Sequence, residues 1–275
     1  MDPHALAHTI ADAYARRVTI PTPSSRDGNF NLGAAYATEA SLVALRRAGG
    51  HETVGLKVGF ANKAVWRVMK LETLVWAHMY DDTVSFATDG ASTLPTASLI
   101  SPKIEPEVVF KIARASAIES GVDATTAAPA DVLAHVEWLA IGFEIIDCLY
   151  PDWKFQPADF VAAYGLHAAL VIGKPLEVEA GAIPELVDQL ARFTVRLSRD
   201  GEVVAEGSGR NSLRSPALCL GELQAAIARQ PGASSLAAGD LVSSGTLTES
   251  QPIAAGQCWR VDVDGIDLAP LTLIF

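Results

Sequence analysis

The chain has few cysteines and lacks the short motifs that identify several large enzyme classes. Its three cysteines, Cys148, Cys219 and Cys258, are widely separated and form no Cys-x-x-Cys pair. This odd, scattered set is typical of reduced core thiols in a cytosolic protein and not of a disulfide framework. No Gly-x-Ser-x-Gly, P-loop or His-Glu-x-x-His sequence occurs. The sequence therefore gives no support for a nucleophile-elbow hydrolase, a P-loop nucleotide hydrolase or a zincin protease.

Positive charge is also scarce. The chain carries 21 Lys and Arg against 32 Asp and Glu, a formal net charge of −11. Nucleic acids and anionic membranes attract basic surfaces, so we expect neither as a partner. No apolar run is long enough to cross a membrane, and the N-terminal segment lacks the apolar core of a secretion signal, so we expect a cytoplasmic protein. An anionic substrate would need local positive charge from a metal ion or from lysines.

The composition is that of a folded chain, with 49% hydrophobic and 19% charged residues. Helical spacing near the start predicts an α-rich N-terminal part, residues 1–90, in which the polar loop 22–31 is a candidate lid. Residues 91–275 contain mainly strand patterns and predict a β-rich second part. Within it we expect an Ala/Ser/Thr-rich loop over 114–128 and a helix over 129–139.

Two glutamates share one face of a predicted strand. In residues 103–112 the apolar side chains alternate with Glu105 and Glu107, so both carboxylates project from the same side. One interpretation is that both glutamates lie on the solvent-exposed face of a sheet. The other is a site for a hard divalent cation, which needs several oxygen ligands converging on one point. Pro106 between them marks an edge or a bulge, and bulges are frequent beside active sites.

Lys57 and Glu144 are charged residues in apolar strand patterns. Lys57 faces away from the apolar side of the segment 53–59, and its flanking glycines leave room for a ligand to approach the backbone. A surface lysine on an edge strand is the alternative. Glu144 stands near the centre of the apolar run 140–147. Because an isolated buried carboxylate is costly, Glu144 requires a partner, either a cation side chain or a metal ion.

A bulky and acidic segment lies between these strands. Trp76 and Tyr80 are interpreted as core residues or as the lining of a pocket. The adjacent Asp81 and Asp82 fit a turn, which aspartate favours.

The ordered set of these segments resembles the fumarylacetoacetate hydrolase superfamily, and within it the branch of hydratases and decarboxylases. The likeness runs from about Tyr36 to the C-terminus. Its segments are Gly-Leu-Lys-Val-Gly (55–59), Tyr-Asp-Asp (80–82), Ile-Glu-Pro-Glu (104–107), Phe-Glu-Ile-Ile-Asp (143–147), Asp-Trp-Lys (152–154), Ala-Gly-Asp-Leu-Val (238–242) and Ser-Gly-Thr-Leu-Thr (244–248).

The resemblance implies an α+β fold, in which a mixed β-sheet roll follows a smaller α-rich N-terminal part, assembled as homo-oligomers. It implies Mg²⁺ or Mn²⁺ held by Glu105, Glu107 and Glu144, with Lys154 near the metal. Lys57, Asp82 and Lys154 are the expected catalytic residues, and the expected substrate contacts are Asp81, Trp76, Tyr80, His167 and Thr246. His167 lies in a segment that departs from the family pattern, and a satisfied core histidine is its alternative role.

The same resemblance implies a small 2-oxo or 2-hydroxy acid substrate, gripped by the cation through its carboxylate and keto oxygens. The expected reaction is hydration of 2-hydroxy-dienoates or 2-oxo-enoates in the degradation of aromatic compounds. The alternatives are a 2-oxo-acid decarboxylase, a hydrolase of acylpyruvate C–C bonds, and a non-catalytic subunit in a complex with a related pathway enzyme. Lys57 would pair with the substrate carboxylate or act as an acid, and Asp82 or Asp81 would act as the base.

Overall fold

The computed structural model describes residues 1–115 and 125–275. The helices in these ranges are α1 (Pro3–Arg16), α2 (Pro23–Arg26), α3 (Leu32–Ala48), α4 (Lys63–Met69), α5 (Pro129–Leu133), α6 (Pro157–Ala162), α7 (Ile183–Arg192) and α8 (Pro216–Arg229). The strands are β1 (Thr53–Gly59), β2 (Val75–Tyr80), β3 (Val84–Phe86), β4 (Ala91–Thr93), β5 (Pro102–Ile112), β6 (Val136–Asp147), β7 (His167–Ile172), β8 (Leu176–Glu177), β9 (Thr194–Arg199), β10 (Glu202–Ser208), β11 (Leu241–Thr246), β12 (Gln251–Pro252), β13 (Cys258–Asp264) and β14 (Leu271–Ile274). Most of the predicted loop 114–128 lies outside the described residues.

The strands form two mixed sheets. The larger has the order β2-β1-β11-β5-β6-β7-β3, with β12 paired to β5 and β8 to β6, and the smaller has the order β10-β9-β13-β14-β4. Strands β1 and β11 run parallel, whereas β5 is antiparallel to both β11 and β6. This mixed arrangement with flanking helices is the predicted α+β fold, which is confirmed.

The large sheet curls around its own inner face. Its inner residues, such as Met79 of β2, Val109 of β5 and Leu170 of β7, are fully buried in a cluster whose members all belong to strands of this sheet. Because a flat sheet leaves such a face open, their burial indicates that the sheet closes over it. The outer face packs into the main core with the helices and the smaller sheet, as Phe110 and Ile141 do.

Several strands of the large sheet precede residue 90. Strands β1, β2 and β3 all belong to it, while the helical segments α1 to α3 lie before them. The division into 1–90 and 91–275 stays a prediction, and it runs through the sheet. The loop predicted as a lid contains α2, and Ser24 donates from its backbone N–H (2.8 Å) and its hydroxyl (2.6 Å) to the buried carboxylate of Asp159. Its role as a lid stays a prediction.

Two local expectations are wrong. The helix expected over 129–139 ends at Leu133, and β6 begins at Val136. Pairing of Trp138 with Lys111 in β5 outweighs the local helical preference, as tertiary contacts often do. The open space expected beside Lys57 is also filled, by the backbone of Leu241 next to Gly55 and by the ring of Phe160 next to Gly59.

No helix among the described residues is long and apolar enough to cross a membrane.

The pairing of β1 with β11 requires glycine at position 55, so Gly55→Ala should destabilise the fold. Gly55 has φ = +149°, and a Cβ atom there would lie 1.9 Å from the carbonyl oxygen of Leu241. We expect the free energy of unfolding to fall by at least about 2 kcal/mol, measured by urea denaturation. Gly181→Ala is the control, because a Cβ there meets nothing within 4 Å. Equal stability of the two variants would contradict the assigned β1–β11 contact.

Candidate active site

Three carboxylates meet on the inner face of the large sheet. Glu105 and Glu107 alternate along β5, and Glu105 lies opposite Glu144 in the antiparallel register with β6. One oxygen from each of the three lies within 4.8 Å of the others. The two-residue strand period and the β5–β6 register together produce this convergence.

Glu107 is held by strand β11. Its Oε2 accepts hydrogen bonds from the Ser243 hydroxyl (2.5 Å) and from the backbone N–H of Gly245 (2.8 Å). The β5–β11 register shifts between Ser243 and Thr246, which turns this N–H toward the carboxylate. The other oxygen, Oε1, is buried and has no hydrogen-bond partner within the described residues. A buried carboxylate oxygen without a partner suits a cation ligand.

Lys57 is the cation of this cluster. Its ammonium lies 2.9 Å from Oε2 of Glu144 and donates a hydrogen bond to the carbonyl oxygen of Gly165 at 3.1 Å. The side chain is 2% exposed and belongs to a strand enclosed by β2 and β11, so the surface-lysine alternative is excluded. Burial alone lowers the pKa of Lys57, but the three carboxylates outweigh it and leave its pKa raised. Lys57 therefore carries a charge inside the sheet.

The three glutamates differ in their affinity for protons. Burial and the charge of Glu144 raise the pKa of Glu105 to about 7, against the opposing effect of Lys57. Burial and the same neighbouring charge raise the pKa of Glu107 well above its ordinary value. For Glu144 burial also acts upward, but Lys57 and His167 outweigh it and lower its pKa. Without a metal ion the lowered pKa of Glu144 favours its anion, and the raised pKa values of Glu105 and Glu107 favour their protonated forms.

His167 supports Glu144 from behind. Its Nδ1 lies 2.9 Å from Oε1 of Glu144, and its Nε2 lies 3.0 Å from the hydroxyl of Thr83. Both ring nitrogens have partners in the protein, so the core-histidine alternative describes its contacts. It fixes the carboxylate that pairs with Lys57.

A cavity of about 510 Å³ opens onto this cluster. Lys57, Glu105 and Thr246 line its inner end, and Trp153 and Phe155 are among the residues lining the rest. Three of its bulky lining residues have left-handed backbone conformations, with φ near +58°. They are Phe60, Trp153 and Leu166. Such conformations are unfavourable for large side chains and are concentrated at functional sites.

Five predicted site residues lie elsewhere: Asp82, Tyr80, Asp81, Trp76 and Lys154. Asp82 pairs with Arg46 and lines a separate cavity of about 400 Å³ with Tyr80, Tyr164 and His167. Asp81 lies 3.3 Å from Nδ1 of His51 on the exposed side of the same turn. Trp76 packs on Tyr36 in a third cavity, at 4.8 Å between ring centroids. The Lys154 side chain is 81% exposed and pairs with Asp152, so the structure does not bring it to the cluster.

Sequence reasoning missed Ser243, Gly245 and the aromatic residues of the cavity wall. A glycine inside a strand pattern marks a bulge, which was an available signal for Gly245. No pattern identified Phe160, whose ring centroid lies 5.0 Å from the Lys57 ammonium.

The C-terminal domain family of fumarylacetoacetate (FAA) hydrolase matches residues 62–270. The chain is 29% identical to 2-hydroxyhexa-2,4-dienoate hydratase of Comamonas testosteroni over 234 residues, which are 84% of this chain and 82% of the relative. It is also 29% identical to a 4-oxalocrotonate decarboxylase of a Pseudomonas species over 225 residues, covering 82% of this chain and 80% of the relative.

Among solved structures, the chain is similar to 4-oxalocrotonate decarboxylase from Pseudomonas putida G7 complexed with magnesium and adipate. The TM-score is 0.85 at 25% sequence identity, and the match covers 99% of this chain and 97% of that one. The family match alone spans about three quarters of the sequence, and the structural likeness extends to both ends. The chain therefore belongs to the fumarylacetoacetate hydrolase family.

Proposed function

We propose that this protein is a divalent-metal-dependent hydratase that adds water to 2-hydroxy-dienoate or 2-oxo-enoate acids in the degradation of aromatic compounds. The observation that carries the proposal is the convergence of Glu105, Glu107 and Glu144 beside Lys57, with Lys57 and Glu105 lining one cavity. Relatives at 27–29% identity are named as hydratases of such acids, which supports the same reaction.

The three glutamates fit a hard divalent cation. They supply oxygen ligands, the buried Oε1 of Glu107 has no hydrogen-bond partner in the described chain, and burial raises the pKa of two of the three carboxyl groups. We propose Mg²⁺ or Mn²⁺ as the ion, and the magnesium complex of the decarboxylase neighbour supports that choice. When bound, the cation would polarise the keto oxygen of the substrate and stabilise negative charge on it.

The chain's own contribution is charge and position. Lys57 faces the cavity with a charged ammonium and would pair with the substrate carboxylate. His167 holds Glu144, which in turn positions that ammonium. The assignment of Asp82 or Asp81 as the base stays a prediction, and neither lines this cavity. Lys57 and Glu105 are the titratable groups at its inner end among the described residues.

Decarboxylation of a 2-oxo acid is the second candidate. Its support is the likeness to 4-oxalocrotonate decarboxylases, at 29% identity in sequence and over nearly the whole chain in structure. We further propose a homo-oligomer, on the family resemblance alone. A complex with a related pathway enzyme remains the alternative for a chain that shows no turnover by itself.

An assay with Mg²⁺ and a panel of 2-hydroxydienoates should show loss of the dienol absorbance without release of CO₂. Lys57→Met should lower kcat/KM by at least about 100-fold, because the substrate carboxylate loses its charged partner. Lys174→Met, at an exposed position, is the matched control and should behave as the unmodified protein. Stoichiometric CO₂ would instead assign the decarboxylase, and activity only after adding a partner enzyme would assign the non-catalytic subunit.

Glu107→Gln should weaken metal binding without harming the metal-free fold. Glutamine keeps the shape of the Glu107 carboxyl group, whose raised pKa favours the neutral form, but it removes an anionic ligand. We expect Mg²⁺ or Mn²⁺ affinity to fall by at least about tenfold in isothermal titration calorimetry. The exposed Glu206→Gln on β10 is the control. Unchanged affinity in Glu107→Gln would remove this residue from the proposed metal site.

The metal-free protein should lose stability as pH rises from about 4.5 to about 7. Folded Glu105, with a pKa of about 7, and Glu107, with its pKa well above the ordinary value, keep protons that the unfolded chain releases above about pH 4.3. Folding is then favoured at the lower pH. The lowered pKa of Glu144 acts in the opposite direction, but below this window. Scanning calorimetry should show Tm falling across the window, and saturating Mg²⁺ should restore it; a rising metal-free Tm would contradict the cluster's protonation.

A further inference from the structure

We propose that the outer part of the 510 Å³ cavity binds an uncharged aromatic substrate tail and rejects a second carboxylate. This inference rests on the proposed function for the acid head of the substrate, and it adds the chemical class of the tail. The substrate would be a 2-oxo-enoate or 2-hydroxydienoate that carries an aryl group. The outer part of the cavity is called the tail wall below and consists of Phe60, Trp153, Phe155 and Phe160.

The tail wall is a continuous series of rings that starts at the reacting end. The Lys57 ammonium lies 5.0 Å from the Phe160 ring centroid. Phe160 contacts Phe60 edge-on at 5.2 Å and stacks with Phe155 at 6.2 Å. Trp153 continues the series at 6.4 Å from Phe155. These separations lie within the range for interacting aromatic pairs, so an added ring could extend the same packing.

Three of the polar side chains that line the cavity donate hydrogen bonds to the protein itself. The Asn211 amide donates to the carbonyl oxygen of Leu247 at 2.7 Å, and the Thr246 hydroxyl donates to that of Thr248 at 2.8 Å. The Thr248 hydroxyl donates to the carbonyl oxygen of Glu249 at 3.1 Å. Hydrogen-bond donors that are already used cannot bind a distal carboxylate without breaking these bonds.

The charges of the cavity also disfavour an acidic tail. Among the described lining residues Lys57 is the one cation, and it lies at the inner end with Glu144. The outer lining includes the exposed carboxylate of Glu249. Lys103 is not among the lining residues, and its ammonium packs over the Trp153 ring at 4.1 Å. A second substrate carboxylate would lose its hydration and gain only contacts with aromatic rings and with the like charge of Glu249, which is unfavourable.

The size and rigidity of the cavity suit a bulky tail. A volume of about 510 Å³ lies in the range that encloses drug-sized ligands, beyond the needs of a five-carbon acid. Phe60 and Trp153 hold left-handed backbone conformations, with φ of 58° each. The indole N–H of Trp153 donates to the Ser101 hydroxyl at 2.9 Å. This hydrogen bond holds the Trp153 ring in place before a ligand arrives, which lowers the entropy cost of binding.

The test is calorimetric binding of three unreactive 2-oxo acids to the full chain with saturating Mg²⁺. Pyruvate reports the head alone, 2-oxo-4-phenylbutanoate adds an aryl tail, and 2-oxoglutarate adds a distal carboxylate. We expect the aryl acid to bind at least about tenfold more tightly than pyruvate, because its ring is buried on the tail wall. We expect 2-oxoglutarate to bind no more tightly than pyruvate.

Phe155→Ala should remove the advantage of the aryl acid over pyruvate, since this half-buried ring is part of the tail wall. Phe155→Arg should reverse the preference toward 2-oxoglutarate. Phe86→Ala is the control, because Phe86 is 53% exposed and packs on Trp138 outside the cavity.

Three results would overturn the assignment. If pyruvate binds but the aryl acid binds no better, the tail wall does not select aromatic tails, and the proposed function stands. If 2-oxoglutarate binds more tightly than pyruvate and Lys103→Ala abolishes the difference, the outer part of the cavity is a dicarboxylate site. If pyruvate itself does not bind, the proposed function fails and the tail assignment fails with it. The comparison of the three acids uses the unmodified protein, so it does not depend on whether a variant folds.

Discussion

The structure depends on keeping three carboxylates and one ammonium inside a protein sheet. Taking such charges out of water costs several kcal/mol for each ion unless they are paired. Glu144 and Lys57 meet this cost with an ion pair at 2.9 Å, and Glu107 meets part of it with two hydrogen bonds from β11. The part of this cost that is not offset raises the pKa values of Glu105 and Glu107. A divalent cation would supply the positive charge that the cluster lacks.

The sheet order determines whether the charges can meet. Lys57 is on β1 and Glu144 is on β6, with β11 and β5 between them. In a flat sheet, strands about 4.8 Å apart would separate these residues by far more than a hydrogen bond. Their contact requires the curl of the sheet, and the curl in turn buries the apolar inner face at Met79 and Leu170. One shape therefore serves both the hydrophobic core and the charged cluster.

The sequence predicted those parts of the site that depend on local geometry. Strand alternation put Glu105 and Glu107 on one side, and the cost of burying Glu144 required a partner, which Lys57 supplies. It could not predict which strands are neighbours, because β11 reaches its place between β1 and β5 from more than 100 residues away in sequence. For the same reason Asp82 was grouped with Lys57, although the turn after β2 carries it to another cavity. The early start of β6 likewise depends on pairing with Lys111, which no local window contains.

The head and the tail wall of the cavity come from structurally different parts of the chain. The acids and Lys57 project from central strands whose register is fixed on both sides, whereas Trp153 and Phe155 belong to a short connection after β6. Substitutions in that connection leave the strand register untouched. Variation in that connection would therefore change the shape of the cavity wall without entering the strands that carry the three acids and Lys57.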